Sequence, residues 1–210
     1  MSTQSSKARA PAPPQATIRP EKLLKHGHTR IDPYQWLRER ENRETIEYLT
    51  RENEYTAARM SHTLELQKQL FTEIKERIKQ TDISVPYRLD DYLYYSRLEE
   101  GRAYPIYCRR PSSMTTPEQI MLDVGQLAEG FQFYELTHFE VSSGQNILAY
   151  AFDTTGRRIN TIRFKDLDSG EVAEHEIQMV TGDMAWANDN KTLFYTRQDP
   201  GTLRAYQVFR

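Results

Sequence analysis

Histidine, arginine, cysteine and serine are the side chains of this 210-residue chain that could do chemistry, and their spacing gives none of them a partner. His26-Gly27-His28 is the one close histidine pair. A His-x-His pair can ligate a metal from one face of a strand, but a complete site needs further ligands nearby. Here the pair runs instead into Asp32-Pro33, a helix-start signal. His62, His138 and His175 stand alone and read as structural or exposed. Arg109-Arg110 and Arg157-Arg158 read as solvated strand ends rather than anion sites. Cys108 is the only cysteine, which excludes an internal disulfide and a cysteine-rich zinc site. It falls in a β-type run and reads as a small buried hydrophobe. There is no G-x-S-x-G elbow, no P-loop and no G-x-G-x-x-G. Many serines lie in turns, with no base placed near them. These residues therefore predict no catalytic residue, no cofactor-binding residue, no metal ligand and no cofactor.

Composition narrows the partners. With 28 Lys and Arg against 30 Asp and Glu, the net charge is −2, without the basic excess of a general nucleic-acid binder. The longest purely apolar run, Ile147 to Phe152, falls far short of the ~18 residues that span a bilayer. Met1 to Ala16 has no apolar stretch of the secretory kind. The reading is a protein with neither nucleic acid nor membrane as partner. With no signal and no cysteine pair, a cytoplasmic location is expected.

The elements that would carry these residues fall into three zones. Residues 1–18 read as a disordered tail, rich in proline and free of acids. Residues 19–80 read as a helical arm. Asp32-Pro33-Tyr34-Gln35 has the form of a capped helix start. A helix is expected from Arg43 to Met60, with a stripe of Ile46, Leu49, Ala57 and Met60. Another is expected from Leu64 to Lys79, with Leu66, Leu70, Ile74 and Ile78 recurring every four residues. Residues 81–210 change character, with 19 acids to 13 bases and short β-type runs between turn signals such as Glu100-Gly101 and Ser143-Gly144.

That last zone repeats itself. Val141 to Tyr150 overlies Trp186 to Tyr195 at an offset of 45, each a short strand, a polar turn and a strand with Leu and then Tyr two residues later. The same offset places Thr161–Phe164 over Tyr206–Phe209. Leu93-Tyr94-Tyr95 is an earlier, imperfect copy. A period near 45 in an all-β setting fits one blade of a β-propeller, and ~4–8 blades close a ring. Residues 81–210 supply two to three.

On these residues the chain resembles the prolyl oligopeptidase family of serine peptidases. His26 to Arg38 is similar to the family's amino-terminal Asp-Pro-Tyr-x-Trp-Leu signature. Three stretches are most like the oligopeptidase B branch: Tyr92 to Gly101 with Tyr104 to Arg110, Asp153 to Gly156 with Lys165 to Leu167, and Ala185 to Tyr195. The resemblance implies a mainly β chain with an N-terminal helical arm and a partial, open seven-bladed propeller. It implies an α/β-hydrolase catalytic domain missing from these 210 residues. The Ser-His-Asp relay would belong to that domain. The whole enzyme would cleave short peptides after Lys or Arg, with the propeller restricting entry, and these residues alone would be inactive. Two alternatives are a non-enzymatic propeller used for binding and a peptidase cutting after proline.

Overall fold

The computed structural model describes residues 12–210, so most of the 1–18 tail reading lies outside the described residues. The chain gathers into two compact units that divide between Ile78 and Lys79.

The first unit is not helical throughout, which corrects the reading of 19–80. Strands β1 (Glu21–Lys25) and β2 (His28–Asp32) form an antiparallel hairpin. His26 and Gly27 turn it with φ of +51° and +77°, the left-handed pair that suits a two-residue hairpin. Both faces of the hairpin are largely exposed, so no alternation of apolar and polar residues marked it. Asp32 does not start a long helix either. Its Oδ1 accepts from the Tyr34 amide at 3.0 Å, and a single 3-10 turn, Gln35–Arg38, follows. Trp36 anchors this turn, its Nε1 donating to the Thr17 carbonyl at 2.9 Å. The Arg19 guanidinium stands 5.3 Å from the ring centroid.

Helix α1 (Arg43–Met60) begins where Asn42 accepts the Glu44 amide at 2.9 Å. Helix α2 (Leu64–Arg77) ends before Lys79, because Ile78 leaves helical backbone at ψ 121°. The apolar stripes of both helices stay open, with Leu49 53% and Ile74 59% exposed.

The second unit holds the repeat as antiparallel blades. In blade I, β3 (Asp82–Ile83) and β4 (Tyr87–Leu89) form one broken first strand against β5 (Tyr92–Leu98), followed by β6 (Ile106–Pro111) and β7 (Gln119–Asp123). Pro86 has no amide to donate at the break. Ser84 bridges it, its amide reaching the Ser96 carbonyl and its Oγ accepting the Ser96 amide, each at 2.9 Å. The single-turn helix α3 (Val124–Leu127), capped by Asp123, leads to the next blade.

From there the meander is continuous: β8 (Glu135–Val141), β9 (Ile147–Asp153), β10 (Asn160–Asp166), β11 (Ile177–Trp186), β12 (Leu193–Gln198) and β13 (Ala205–Phe209). Strand β11 serves two blades. Its first half pairs with β10 to finish blade II, and its second half pairs with β12 to begin blade III. Leu93, Leu148 and Leu193 all fall in the second strand of their blades.

Register explains the burial. Leu148 and Tyr150 face blade I, in a core with Tyr94, Met121 and Tyr134. The alternate residues Ala149 and Ala151 face blade III, with Val180, Met184 and Leu193. One part of the repeat needs correction. Tyr150 opposes Arg163, whereas Tyr195 opposes Phe209, so the offset in the third strand is 46 rather than 45. An irregularity between Arg197 and Gln198 takes up the extra residue. Phe209 therefore matches Arg163 and not Phe164. A slip of one residue moves a side chain to the other face.

The shared strand turns on a buried polar knot. Asn160, 1% exposed, donates from Nδ2 to the Thr181 carbonyl at 2.9 Å, and its Oδ1 accepts the Thr137 hydroxyl at 2.7 Å. Irregularities in β8, in β10 and in β11 all meet at these residues. Beside them Gly182 has φ +98°, and a Cβ there would stand 3.2 Å from Thr137 Oγ1. Gly182→Ala should therefore cost about 1–3 kcal/mol from backbone strain, read as a lower midpoint in urea unfolding. An unchanged midpoint would contradict the role given to this pivot.

Candidate functional site

Two seams join the blades, and their polar residues are the strongest candidates for a functional centre. Between blades I and II lies Arg109. It is 1% exposed, which corrects its reading as a solvated strand end. Its guanidinium stacks 4.0 Å from the Tyr92 ring centroid, and Nε donates to Gln119 Oε1 at 2.6 Å. It also donates to the Gln145 carbonyl and, at 3.4 Å, to the Tyr94 hydroxyl. A buried arginine of this kind needs every donor engaged, and its partners here are neutral acceptors from two blades. Further ties cross the seam: Lys165 Nζ donates to the Met121 carbonyl at 2.9 Å, and Gln119 Nε2 to the Leu167 carbonyl.

A second feature recurs once per blade. The residue three before each repeat Leu is Asp90, Gln145 or Asn190, and each has positive φ, of 49°, 61° and 58°. Each grips its neighbour. Gln145 Nε2 donates to Asp90 Oδ2 at 3.2 Å. Asn190 accepts the Gly144 amide at 2.6 Å and donates to Asn146 Oδ1 at 3.0 Å. Asn and Asp tolerate left-handed backbone better than most residues, which is the signal in the sequence that could have exposed this ladder.

The remaining candidates are scattered. Arg110 is partly buried and donates to the Tyr95 hydroxyl at 2.7 Å, while Glu118 takes both Tyr95 and Arg97. Arg157 and Arg158 occupy the β9–β10 turn, where Asp153 controls the backbone. Asp153, fully buried, accepts the Thr155 amide and hydroxyl at 2.7 Å each and the Arg158 amide at 2.6 Å. Burial alone would raise its pKa, but these donors outweigh it and hold the carboxyl below its ordinary value. Cys108 is fully buried, and its thiol is pushed up to about 11, first by burial and then by the Glu118 charge. His26 lies in the hairpin turn and His28 in β2, both exposed. His62 touches the Arg59 carbonyl, His175 stacks on Phe164, and His138 meets Glu140 at 3.1 Å. Among the described residues no histidine is hydrogen-bonded to a serine or to Cys108. Nor do three or more His, Cys, Asp or Glu residues gather as metal ligands there.

Antiparallel blades of this repeat, with one strand handed from blade to blade, define a β-propeller-type domain preceded by a helical arm. The comparisons carry that to a family. Residues 13–210 match the family model described as the prolyl oligopeptidase N-terminal β-propeller domain. The chain belongs to the prolyl oligopeptidase family. It is 39% identical to a dipeptidyl aminopeptidase BI from Pseudoxanthomonas mexicana, over 97% of this chain and 31% of that protein. It is 32% identical to Protease 2 from Moraxella lacunata, over 83% of this chain and 26% of that one. Among solved structures it superimposes on oligopeptidase B from Leishmania major with a TM-score of 0.85 and 28% identity, over 94% of this chain and 30% of that one. The chain thus spans about a third or less of the length of these relatives.

Two buried groups give tests of the seams and turns. A carboxyl with a lowered folded pKa adds stability that is present above its unfolded value of about 3.9 and is lost as pH falls through the folded value. Asp153→Asn should thus lower stability at pH 7 by about 1–3 kcal/mol, and the gap to the parent should narrow below about pH 4. A gap independent of pH would oppose this account. Cys108 should not react with a thiol-specific disulfide reagent at pH 8 until denaturant is added. Rapid labelling of the folded protein would show that the thiol is open.

Proposed function

We propose that this chain is the arm and propeller portion of a serine oligopeptidase that cuts short peptides after Lys or Arg. Residues 19–80 form the arm and 81–210 the propeller. The propeller limits entry to an active site supplied by an α/β-hydrolase domain, so these 210 residues alone turn over no substrate. The observation that carries the reading is the superposition on oligopeptidase B, at a TM-score of 0.85 over 94% of the chain. It agrees with the lack of a nucleophile–base pair among the described residues. No helix among them is long and apolar enough to cross a membrane. The reading places the enzyme in the cytoplasm, acting on soluble peptides.

In this reading the chemistry is acyl transfer by a serine activated through histidine, with an oxyanion hole. What the chain at hand contributes is exclusion and rigidity. The seam around Arg109 and the ladder through Asp90, Gln145 and Asn190 keep the first blades from parting, so that a folded protein cannot enter between them.

A second reading is release of dipeptides from a free amino terminus, favoured by the 39% identity to the dipeptidyl aminopeptidase. The test is to express the whole open reading frame and assay three chromogenic amides: an N-blocked Arg amide, a dipeptidyl amide with a free amine, and an N-blocked Pro amide. Preference for the blocked Arg amide supports the main reading, and preference for the free dipeptide supports the second. Cleavage of the Pro amide alone, or of none, would defeat both.

A further inference from the structure

The first strands of blades I and II are edge strands: β4 is bonded only to β5, and β8 only to β9. Strand β8 also lies beside β11 of the next blade. Between β4 and β8 there is a cavity of about 310 Å3, lined by Tyr87, Tyr107, His138, Phe139 and Glu140 with flanking aliphatics. We propose that this cavity binds the cationic side chain of a peptide, a guanidinium or an alkylammonium, against the aromatic rings and beside the Glu140 carboxylate.

Three observations carry the assignment. The wall is aromatic, with Tyr107 and Phe139 4.7 Å apart edge to face and Tyr87 stacked 5.6 Å from Tyr94. Aromatic faces attract cations through their quadrupole and accept the alkyl stem as well. The single acid is held in place: His138 Nε2 meets Glu140 Oε1 at 3.1 Å, and the Glu140 side chain remains 45% exposed. Its charge also reaches the aromatic wall, because the Tyr87 phenol is raised first by burial and then by Glu140. Phe139 and Glu140 project from opposite faces of β8, and they share the cavity because it wraps the strand's open edge. No lysine or arginine lines it, so an anion would find no fixed positive charge on its walls. A neutral apolar group would leave the carboxylate unused. The proposal rests on the peptidase reading only in taking the cation to belong to a peptide.

The test titrates the full protein with n-butylguanidinium and with the neutral isostere n-butylurea, by calorimetry. Glu140→Gln and Tyr87→Leu are the variants, and circular dichroism confirms their folding. Tyr87 is 56% exposed, so its replacement leaves the fold intact. The guanidinium should bind at least about fivefold more weakly to each variant than to the parent, as loss of a cation–aromatic or ionic contact requires, with the urea unaffected. Equal guanidinium binding by parent and both variants overturns the site, even if the parent binds it elsewhere. Hydrolysis of the blocked Arg amide is scored separately. Its absence with variant-sensitive binding removes the Lys/Arg-cleaving reading and leaves the site standing.

Discussion

A four-stranded blade has two faces and can bury neither by itself. That constraint shapes residues 82–209. Strand β9 alternates between its neighbours: Tyr150 fills the seam toward blade I, and Ala149 and Ala151 accept blade III. Large residues on one face and alanines on the other set the spacing, since interiors tolerate neither gaps nor excess volume. Beyond blade III, where no neighbour stands among the described residues, the equivalent positions are open. Phe194 matches the buried Ala149 yet is 42% exposed, and Val208 beside it is 72% exposed.

Polar groups then decide the order in which blades join. Burying Arg109 without a carboxylate would be costly if its donors were idle. Nε and Nη1 are engaged by Tyr94 and Gln119 of blade I and by the Gln145 carbonyl of blade II, so the arginine has these acceptors only when both blades are in place. The Asn160 knot works at the next seam. It fixes the point at which β11 leaves one sheet for the next, and Gly182 supplies the backbone freedom for that bend.

Of the buried ionisable groups, Arg109 is spent on a seam and Asp153 on a turn, while Cys108 packs with Tyr95 and Ile106 inside blade I. One opening lies along the first strands of blades I and II, where the aromatic wall beside Glu140 is found.

The sequence by itself determined the repeat, because the turn–Leu–x–Tyr pattern is local and each copy must meet the same neighbour. It determined α1 and α2 through apolar stripes at helical spacing, and the family through Asp32-Pro33-Tyr34 and the blade motifs. Tertiary structure alone decided three things. The hairpin at 21–32 depends on a His-Gly turn and buries almost nothing, so no periodicity announced it. The burial of Arg109 follows from acceptors 10 to 36 residues away in the chain, beyond any local pattern. The shift of the third strand by one residue came from the ladder irregularity at Arg197–Gln198. Which face a side chain takes is settled by pairing across the sheet, and that partner lies outside the segment's own sequence.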